Sequence, residues 1–342
     1  MINTEHSRAY QPIFDPPETT EIEQADGANL VYCWGKEVKL AVNVALATGR
    51  ALLLQGEPGV GKSAVAEAVA QHLNWRFYRY PVSSRTEAQD LTWKIDHVRR
   101  LADAQSQNLC DDDTHYLMPG PFWWAFDGES AARRGSKKEA AISDPANLAS
   151  GEQRSPFGAV VLIDEIDKAD PAVANDLLET VGAARFWVDG VANPFPVLHR
   201  PPAMIEKGGL LMVFTSNNER DMPEAFLRRC IVETMAWPES QDAANKPGFD
   251  DELKKIAKKN WERLGSKEPK DAEGAQASLL LDGLIEAIWK QRIDHKNRDK
   301  RPPGLAEFLD AIAACRELGV VPGSGLWNEL ARLVWSKDSI AG

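Results

Sequence analysis

The chain has 342 residues, 43% hydrophobic and 27% charged, with a formal net charge of −11. That length holds about two domains, the composition is ordinary for a globular protein in water, and the acidic balance argues against a broad binder of phosphate backbones. Apolar runs stop after a handful of residues, far short of the roughly 20 that span a bilayer. The opening MINTEHSRAYQPIFDPPETT lacks the basic-then-apolar pattern of a secretory leader, and Cys33, Cys110, Cys230 and Cys315 form no CxxC pair, as expected of reduced thiols in a cytoplasm.

Residues 1–29 are rich in Pro, Glu and Thr and read as a loosely held arm. From Leu30 the pattern alternates short apolar runs with amphipathic stretches, as a parallel α/β sheet requires. Strands are expected at 51–55, 77–82, 159–163, 210–215 and 231–236. After the first, SAVAEAVAQHL sets Val65, Val69 and Leu73 on one helical face. A long insert, 83–157, separates the second and third strands, and its end (128–156) reads as a polar, flexible loop. DPAVANDLLETVG predicts a helix with Asp170 as N-cap, Pro171 in the first turn and Gly182 as its stop.

A polar break near WPESQDAANKPGFDD closes the α/β region, giving a sheet domain over 30–238 and an all-helical domain over 250–342. In the latter, Leu305, Phe308, Leu309 and Ile312 form one apolar stripe and Leu326, Leu330, Leu333 and Val334 another. The basic run KQRIDHKNRDKR from Lys290 is mixed with acids and reads as a solvated helix end; contact with nucleic acid is the alternative.

The first motif with chemistry is GEPGVGKS. Gly56, Glu57, Pro58, Gly59, Val60, Gly61, Lys62, Ser63 and Ala64 lie between the strand ALLLQ and a helix. Glycines let backbone N–H groups turn inward at a helix N-terminus, where the dipole favours an anion. Lys62 then reaches β- and γ-phosphates and Ser63 a magnesium ion; a bare glycine-rich turn is the competing reading. AVVLIDEIDKAD is an apolar strand ending in Asp164, an oxygen ligand suited to magnesium, and Glu165, a carboxylate suited to deprotonating water. Asp167 and Asp170 are read as a loop turn and a helix cap, with further metal ligation as the alternative. LLMVFTSNNER ends in Asn217, whose amide can position a water beside Glu165, although Ser-Asn-Asn is also ordinary turn chemistry. MPEAFLRRC carries Arg228 and Arg229, either surface arginines or groups with a job.

With these four elements in order, the chain resembles an AAA+ ATPase, and closely the MoxR-type, dynein-related branch. The resemblance is carried by VYCWGKEVKLAVNVALATGRALLLQGEPGVGK, FYRYPVSSRTEAQDLTWKIDHVRRLADAQ, YLMPGPFWWAF, VLIDEIDKADPAVANDLLE and FTSNNERDMPEAFLRRC. It implies an αβα sandwich on a five-stranded parallel sheet, a helical lid, ATP and Mg2+ as cofactors, and ring-forming protomers, usually six. It places Trp34 and Gly35 near adenine, Asn217 on the sensor 1 asparagine, and Arg229 on an arginine finger that enters the neighbouring subunit, with Arg228 as the fallback. ARFWVDGVANPFPVLHRPP becomes the hairpin before sensor 1. The Ser-Pro-Arg that starts a lid helix in MoxR proteins is replaced by KRPPGLAEF, with Gly304 at the arginine position and Arg301 as a substitute for contacting the γ-phosphate. Trp123 and Trp124 are read either as a pore element or as buried aromatics.

The implied function is an ATP-driven remodeller or activator of a protein partner, chaperone-like and cytoplasmic. The rivals are a nucleotide-gated assembly switch in a signalling or defence complex and a McrB-like motor on nucleic acid. Everything visible reads as motor, so a partner is expected to be separate, docking on the 83–157 insert. The resemblance suggests one with a von Willebrand factor A-type domain; the alternative is a self-sufficient ring whose pore loops select substrates.

Overall fold

Four strands begin or end at the residues where glycines and polar tips interrupt apolar runs, and their pairing sets the architecture. The computed structural model describes residues 12–23, 29–137, 140–146, 154–199, 209–237, 246–263, 272–297 and 302–335. Strands β1 (Thr19–Glu23) and β2 (Asn29–Cys33) pair with each other. Strands β3 (Ala51–Gln55), β4 (Trp75–Pro81), β7 (Ser155–Asp164), β10 (Leu210–Ser216) and β11 (Cys230–Thr234) form a five-stranded sheet in the order β11-β3-β10-β7-β4. The pairings of β3 with β10, β10 with β7 and β7 with β4 are parallel. Leu52, Leu53, Leu54, Val160, Val161, Leu162 and Val213 are fully buried, as continuous apolar runs covered on both faces must be. The expected α/β fold is therefore observed, with strand bounds shifted by up to two residues except at β7, which starts four residues early at Ser155.

The chain divides into two compact units that interleave along the sequence. One gathers Met1–Thr20, Trp34–Gln55 and Ala66–Glu233; the other gathers Glu21–Cys33, Gly56–Val65 and Thr234–Gly342. The second unit is helical, with helices Lys246–Arg263, Ala272–Asn297, Leu305–Glu317 and Gly325–Trp335. Its core is built on Leu253, Leu284, Ile285, Ile288, Phe308 and Ile312. Phe308 and Ile312 are buried with Leu305 and Leu309 packed beside them, as expected. The last stripe is corrected: Leu326 and Leu333 are 59% and 70% exposed, and Trp327, Leu330, Val334 and Trp335 face the core instead. Positions 327, 330 and 334 share a face at a 3.6-residue period, whereas 326 and 333 fall one residue round the helix.

The insert is also corrected, because much of it is core. Strands β5 (Trp93–Ile95) and β6 (Leu117–Pro119) pair antiparallel. The helix Pro121–Phe126 after them is wholly apolar beyond its first residue, and Phe122, Trp123, Trp124 and Phe126 are all buried. Trp123 donates its indole N–H to Ser130 Oγ at 3.2 Å and meets Phe186 and Phe195. Both tryptophans are thus interior groups, not pore-lining ones. The stretch expected to be a flexible loop starts with the helix Gly128–Ala132, capped by Asp127. Farther along, Asp144 accepts hydrogen bonds from the Tyr78 hydroxyl and from Arg76. The helix His97–Gln105 is an exposed part of the insert: it buries no residue and leaves Val98 81% and Leu101 60% exposed. Strands β8 (Arg185–Val188) and β9 (Phe195–Leu198) form the expected antiparallel hairpin. The helix before it breaks at Leu177 and runs past Gly182 to Ala183, ending at Ala184 in the left-handed region.

The loosely held arm is corrected for residues 12–23. Phe14 is 1% exposed, and the Asn43 side chain, itself buried on the helix Lys36–Thr48, takes it in. Asn43 Oδ1 accepts from the backbone N–H of Ile13 at 2.7 Å and of Phe14 at 2.8 Å, and Nδ2 donates to Phe14 O at 2.7 Å. Replacing Asn43 by Ala strands those three backbone groups, at about 1–3 kcal/mol for a buried unsatisfied polar group. We predict that Asn43→Ala loses stability of that order in urea unfolding and that residues 12–20 become the first site of limited proteolysis.

Candidate nucleotide-binding site

The site residues come in two sets, each built inside one unit. The first lies on the tips of β7 and β10. Parallel register pairs Phe214 with Ile163 and Ser216 with Gln55, so the C-terminal ends of β7, β10 and β3 lie side by side. Chain order across the sheet reverses beside β3, and carboxyl ends at such a reversal are where open α/β sheets bind ligands.

On these tips Asp164 is 6% exposed. Its Oδ1 accepts from the Thr215 hydroxyl at 2.7 Å and its Oδ2 from Arg79 Nη2 at 2.7 Å. The same Thr215 oxygen accepts the Glu165 backbone N–H at 2.8 Å, so one hydroxyl ties both acidic residues to β10. Glu165 sits at φ 60°, ψ 51°, a left-handed conformation that a non-glycine residue holds only when its surroundings fix it. Its carboxylate Oε1 accepts from Asn217 Nδ2 at 2.9 Å, and Oε2 is paired with Lys168. That pairing raises the Lys168 ammonium above its usual proton affinity. The structure therefore brings Asp164, Glu165 and Asn217 together.

Asp170 caps the next helix, accepting from the Ala172 N–H, as the sequence suggested. Asp167 is buried and accepts the N–H groups of Asn217 and Glu219, so it serves the adjoining loop. Glu67 lies on the helix Lys62–Leu73 and pairs with Arg79 at 3.3 Å. Burial pushes its carboxyl upward, and Arg79 partly offsets this.

Arg228 and Arg229 are both exposed. Arg228 pairs with Glu224 at 3.1 Å, while Arg229 donates to the Ala225 carbonyl at 2.9 Å and its side chain runs along Gly182. The loop that holds them is pinned by Arg50, whose guanidinium donates to the carbonyls of Arg228, Arg229 and Cys230. Trp34 is buried; it donates to Thr20 Oγ1 at 2.8 Å and meets Phe14 edge-on, and Gly35 is the cap residue of the following helix.

The second set is the glycine loop. Gly56, Gly59 and Gly61 have φ of 147°, 83° and 92°, a run that only glycine adopts without strain. At Gly56 a Cβ would also stand 2.1 Å from the Met235 carbonyl oxygen. Lys62 is 5% exposed, and its ammonium donates to the carbonyls of Gly56 at 2.7 Å and Glu57 at 2.8 Å. Ser63 and Ala64 follow in the first turn of the helix and are half-buried. A loop of this backbone shape ahead of a helix N-terminus, with a lysine ammonium turned onto it, fits a polyphosphate ligand.

Helical residues of the same unit cover this loop. Gly59 O accepts the Leu305 N–H at 3.0 Å, and Gly304 stands against Pro58 and Gly59. The residue that sequence reasoning missed is Arg292. It donates to Glu57 Oε2 at 3.0 Å and to Pro303 O at 2.6 Å, and its guanidinium stacks 4.5 Å from the Trp237 ring centre. Burial lowers its proton affinity, which the hydrogen bond to Glu57 partly restores. The run from Lys290 is thus not wholly solvated. The available signal was its helical spacing: four residues after Ile288, Arg292 shares a face with core positions. Arg301 lies outside the described residues.

Comparison with known proteins gives one short local match and a broader one. Over 44 residues the chain is 46% identical to the mitochondrial Lon protease homolog of Yarrowia lipolytica, covering 13% of this chain and about 4% of that protein's length. Among solved structures, a proline-to-glycine variant of Thermotoga maritima RuvB aligns with 14% identity and a TM-score of 0.39, over 88% of this chain and 74% of that one. A lysine-to-arginine variant of the same protein aligns with 13% identity and a TM-score of 0.37, over 83% and 68%. Among the described residues no helix is long and apolar enough to cross a membrane. The AAA domain of the dynein-related subfamily matches residues 51–230, more than half of the chain and the whole run from the first sheet strand to Cys230. The chain therefore belongs to the dynein-related subfamily of AAA domains, a family whose fold binds and hydrolyses nucleotide.

Proposed function

We propose that this chain is a MoxR-like, ring-forming ATPase that remodels or activates a separate protein partner. The observation that supports it most is the joined set of Asp164, Glu165, Thr215 and Asn217 on neighbouring strand tips. In this reading 30–238 is the motor domain and 250–342 its helical lid. Mg2+-bound ATP supplies the phosphoryl group to be transferred and the diphosphate that leaves. The chain supplies the rest. Lys62 neutralises β- and γ-phosphate charge, and Ser63 and Asp164 hold the metal. Glu165 takes a proton from water on its carboxylate while the Asn217 amide keeps that carboxylate aimed. Trp34 and Gly35 flank adenine.

Arg229 acts on the neighbouring protomer's nucleotide, with Arg228 as the alternative. Each needs only an exposed carbonyl or carboxylate contact broken to extend. An arginine delivered this way also ties turnover to ring formation, because each site borrows it from the next protomer.

The partner reading draws support from the insert. Its aromatic segment is core, and the helix His97–Gln105, with Val98 and Leu101 outward, is the segment we assign to docking. The partner's von Willebrand factor A-type domain is carried by the MoxR resemblance alone.

Three outcomes are expected. Glu165→Gln retains Mg2+-dependent ATP binding by fluorescence titration and loses about 10²-fold or more in steady-state turnover; near-normal hydrolysis assigns water activation elsewhere. Arg229→Ala keeps monomer stability and ATP affinity but loses about 10³-fold or more in turnover, and mixing it with Lys62→Ala chains restores partial activity because some interfaces pair two intact halves. Mixed rings that stay inactive overturn the in-trans role. Finally, Glu165→Gln chains held with ATP retain a second protein on affinity purification from the native host, and Val98→Glu with Leu101→Glu abolishes it; recovery of this chain alone under mild crosslinking removes the separate-partner reading.

A further inference from the structure

A buried carboxylate is an expensive group, because desolvating a charge costs several kcal/mol unless hydrogen bonds replace the lost water. Asp167 is 2% exposed, and what it bonds among the described residues is backbone. One oxygen, Oδ2, accepts two backbone N–H groups, from Asn217 at 2.9 Å and from Glu219 at 3.0 Å. The other, Oδ1, has no hydrogen-bond partner among the described residues. A helix cap or a simple turn would not require this. The residues it holds are not its own neighbours but lie 50 and 52 positions later, on the loop that leaves β10.

That loop carries the Asn217 amide, 2.9 Å from Glu165 Oε1. Asp167 itself sits in the short 3-10 turn Ile166–Lys168, directly after Glu165. The carboxylate therefore closes a ring of contacts: Glu165 to Asn217 through side chains, Asn217 to Asp167 through its N–H, and Asp167 back to Glu165 through two peptide units. Within that ring the backbone of Asn218 has φ 58°, a second left-handed non-glycine residue, so the loop needs an external hold to keep its shape.

We infer that Asp167 is a positioning residue for the hydrolytic step: it fixes the backbone of Asn217 so that the Asn217 amide holds the Glu165 carboxylate. It touches neither substrate nor the reacting water and acts only through Asn217. The inference rests on the hydrolytic reading proposed above, and nothing in the sequence pattern separated this carboxylate from a turn residue.

The test is a double-mutant cycle on the full chain. It comprises wild type, Asp167→Ala, Asp167→Asn, Asn217→Ala and the Asp167→Ala/Asn217→Ala pair, each measured for kcat, ATP Kd, thermal midpoint and amide exchange. Asp167→Ala lowers kcat about tenfold, the size of one charged-acceptor hydrogen bond, with ATP Kd within about twofold. Asp167→Asn, which keeps one acceptor oxygen and the shape, falls between it and wild type. In the Asn217→Ala background the same Asp167→Ala change alters kcat by less than about twofold, while its effect on the thermal midpoint is undiminished. Amide exchange over 215–220 rises in both Asp167 variants, and exchange over β3 does not.

If the two kcat losses multiply, or if Asp167→Asn is as poor as Asp167→Ala, the positioning role is wrong. The same holds if exchange over 215–220 is unchanged. Should Asp167→Ala not fold, the Asp167→Asn cycle and its exchange decide alone. Glu165→Gln run alongside keeps the two readings apart: full activity there takes water activation away from Glu165, the role this inference rests on, whereas a dead Glu165→Gln with multiplying losses removes only Asp167.

Discussion

The Thr215 hydroxyl is the contact on which the rest of the sheet-side site depends. A hydroxyl has one proton to give and lone pairs to receive with, and here both functions are used between two strands. It donates to Asp164 and accepts from the Glu165 backbone, at 2.7 and 2.8 Å, with no exposure to solvent. Parallel pairing of β7 with β10 and β4 brings the tips to the right height, but that register ends at Asp164 and does not fix the turn at Glu165. The hydroxyl fixes that turn. It holds Glu165 in a left-handed conformation that costs about 1–3 kcal/mol and so points the carboxylate toward Asn217, along the tip, where an extended continuation of β7 would point it elsewhere. Serine in its place keeps the hydrogen bonds but loses the methyl group that packs a buried strand residue; valine keeps the packing and strands both partners.

The aromatic block under the sheet works at a different level. Phe122, Phe126, Phe214 and Phe226 form a chain of ring contacts at 5.0 to 6.4 Å, joining the inserted helix Pro121–Phe126 to the middle of β10 and to the helix Glu224–Leu227. That last helix leads into Arg228 and Arg229. Gly120 makes the block possible, because a Cβ there would lie 2.7 Å from the Leu91 backbone. An insertion between two sheet strands has thus become the wedge that sets the height of the loop bearing the arginines.

Much of this was legible in the sequence because it is written in short range. A strand such as ALLLQ followed by glycines and a lysine declares itself locally, and the apolar run ending in Asp164 and Glu165 does the same. The family resemblance was confirmed at the level of the AAA domain of the dynein-related subfamily. What was not legible is long range. Asn43 holding Phe14, Trp123 and Trp124 turning inward, and Arg292 reaching Glu57 each join residues far apart in the chain. Composition misled in the same way. A Pro- and Glu-rich start and a polar loop read as loose, yet two well-placed side chains satisfy backbone in their described parts, Asn43 at Ile13 and Phe14 and Asp144 at Ala146. The C-terminal stripe failed for a smaller reason: Leu326 and Leu333 lie one residue round the helix from the face that Trp327, Leu330 and Val334 turn to the core.

Two kinds of polar contact act on the sheet-side carboxylates, and they differ in burial. Thr215 and Asp167 are buried and grip backbone, Thr215 also donating to the Asp164 carboxylate, so they define where the acidic side chains begin. Arg79 and Lys168 are 48% and 41% exposed and grip the carboxylate heads of Asp164 and Glu165. The Lys168–Glu165 pair is exposed on both sides, a class that contributes about 0–1 kcal/mol, whereas Arg79 reaches an Asp164 head that is itself buried. Two adjacent acidic groups repel each other, and a cation on each relieves that repulsion without locking either head. The arrangement separates two demands that a single contact cannot meet. Geometry is set by groups that water cannot reach, whereas occupancy of the heads is left to flexible cations that a better-charged ligand displaces. A guanidinium released from Asp164 stays tethered at the edge strand β4, next to Glu67, so its charge remains local when its partner changes.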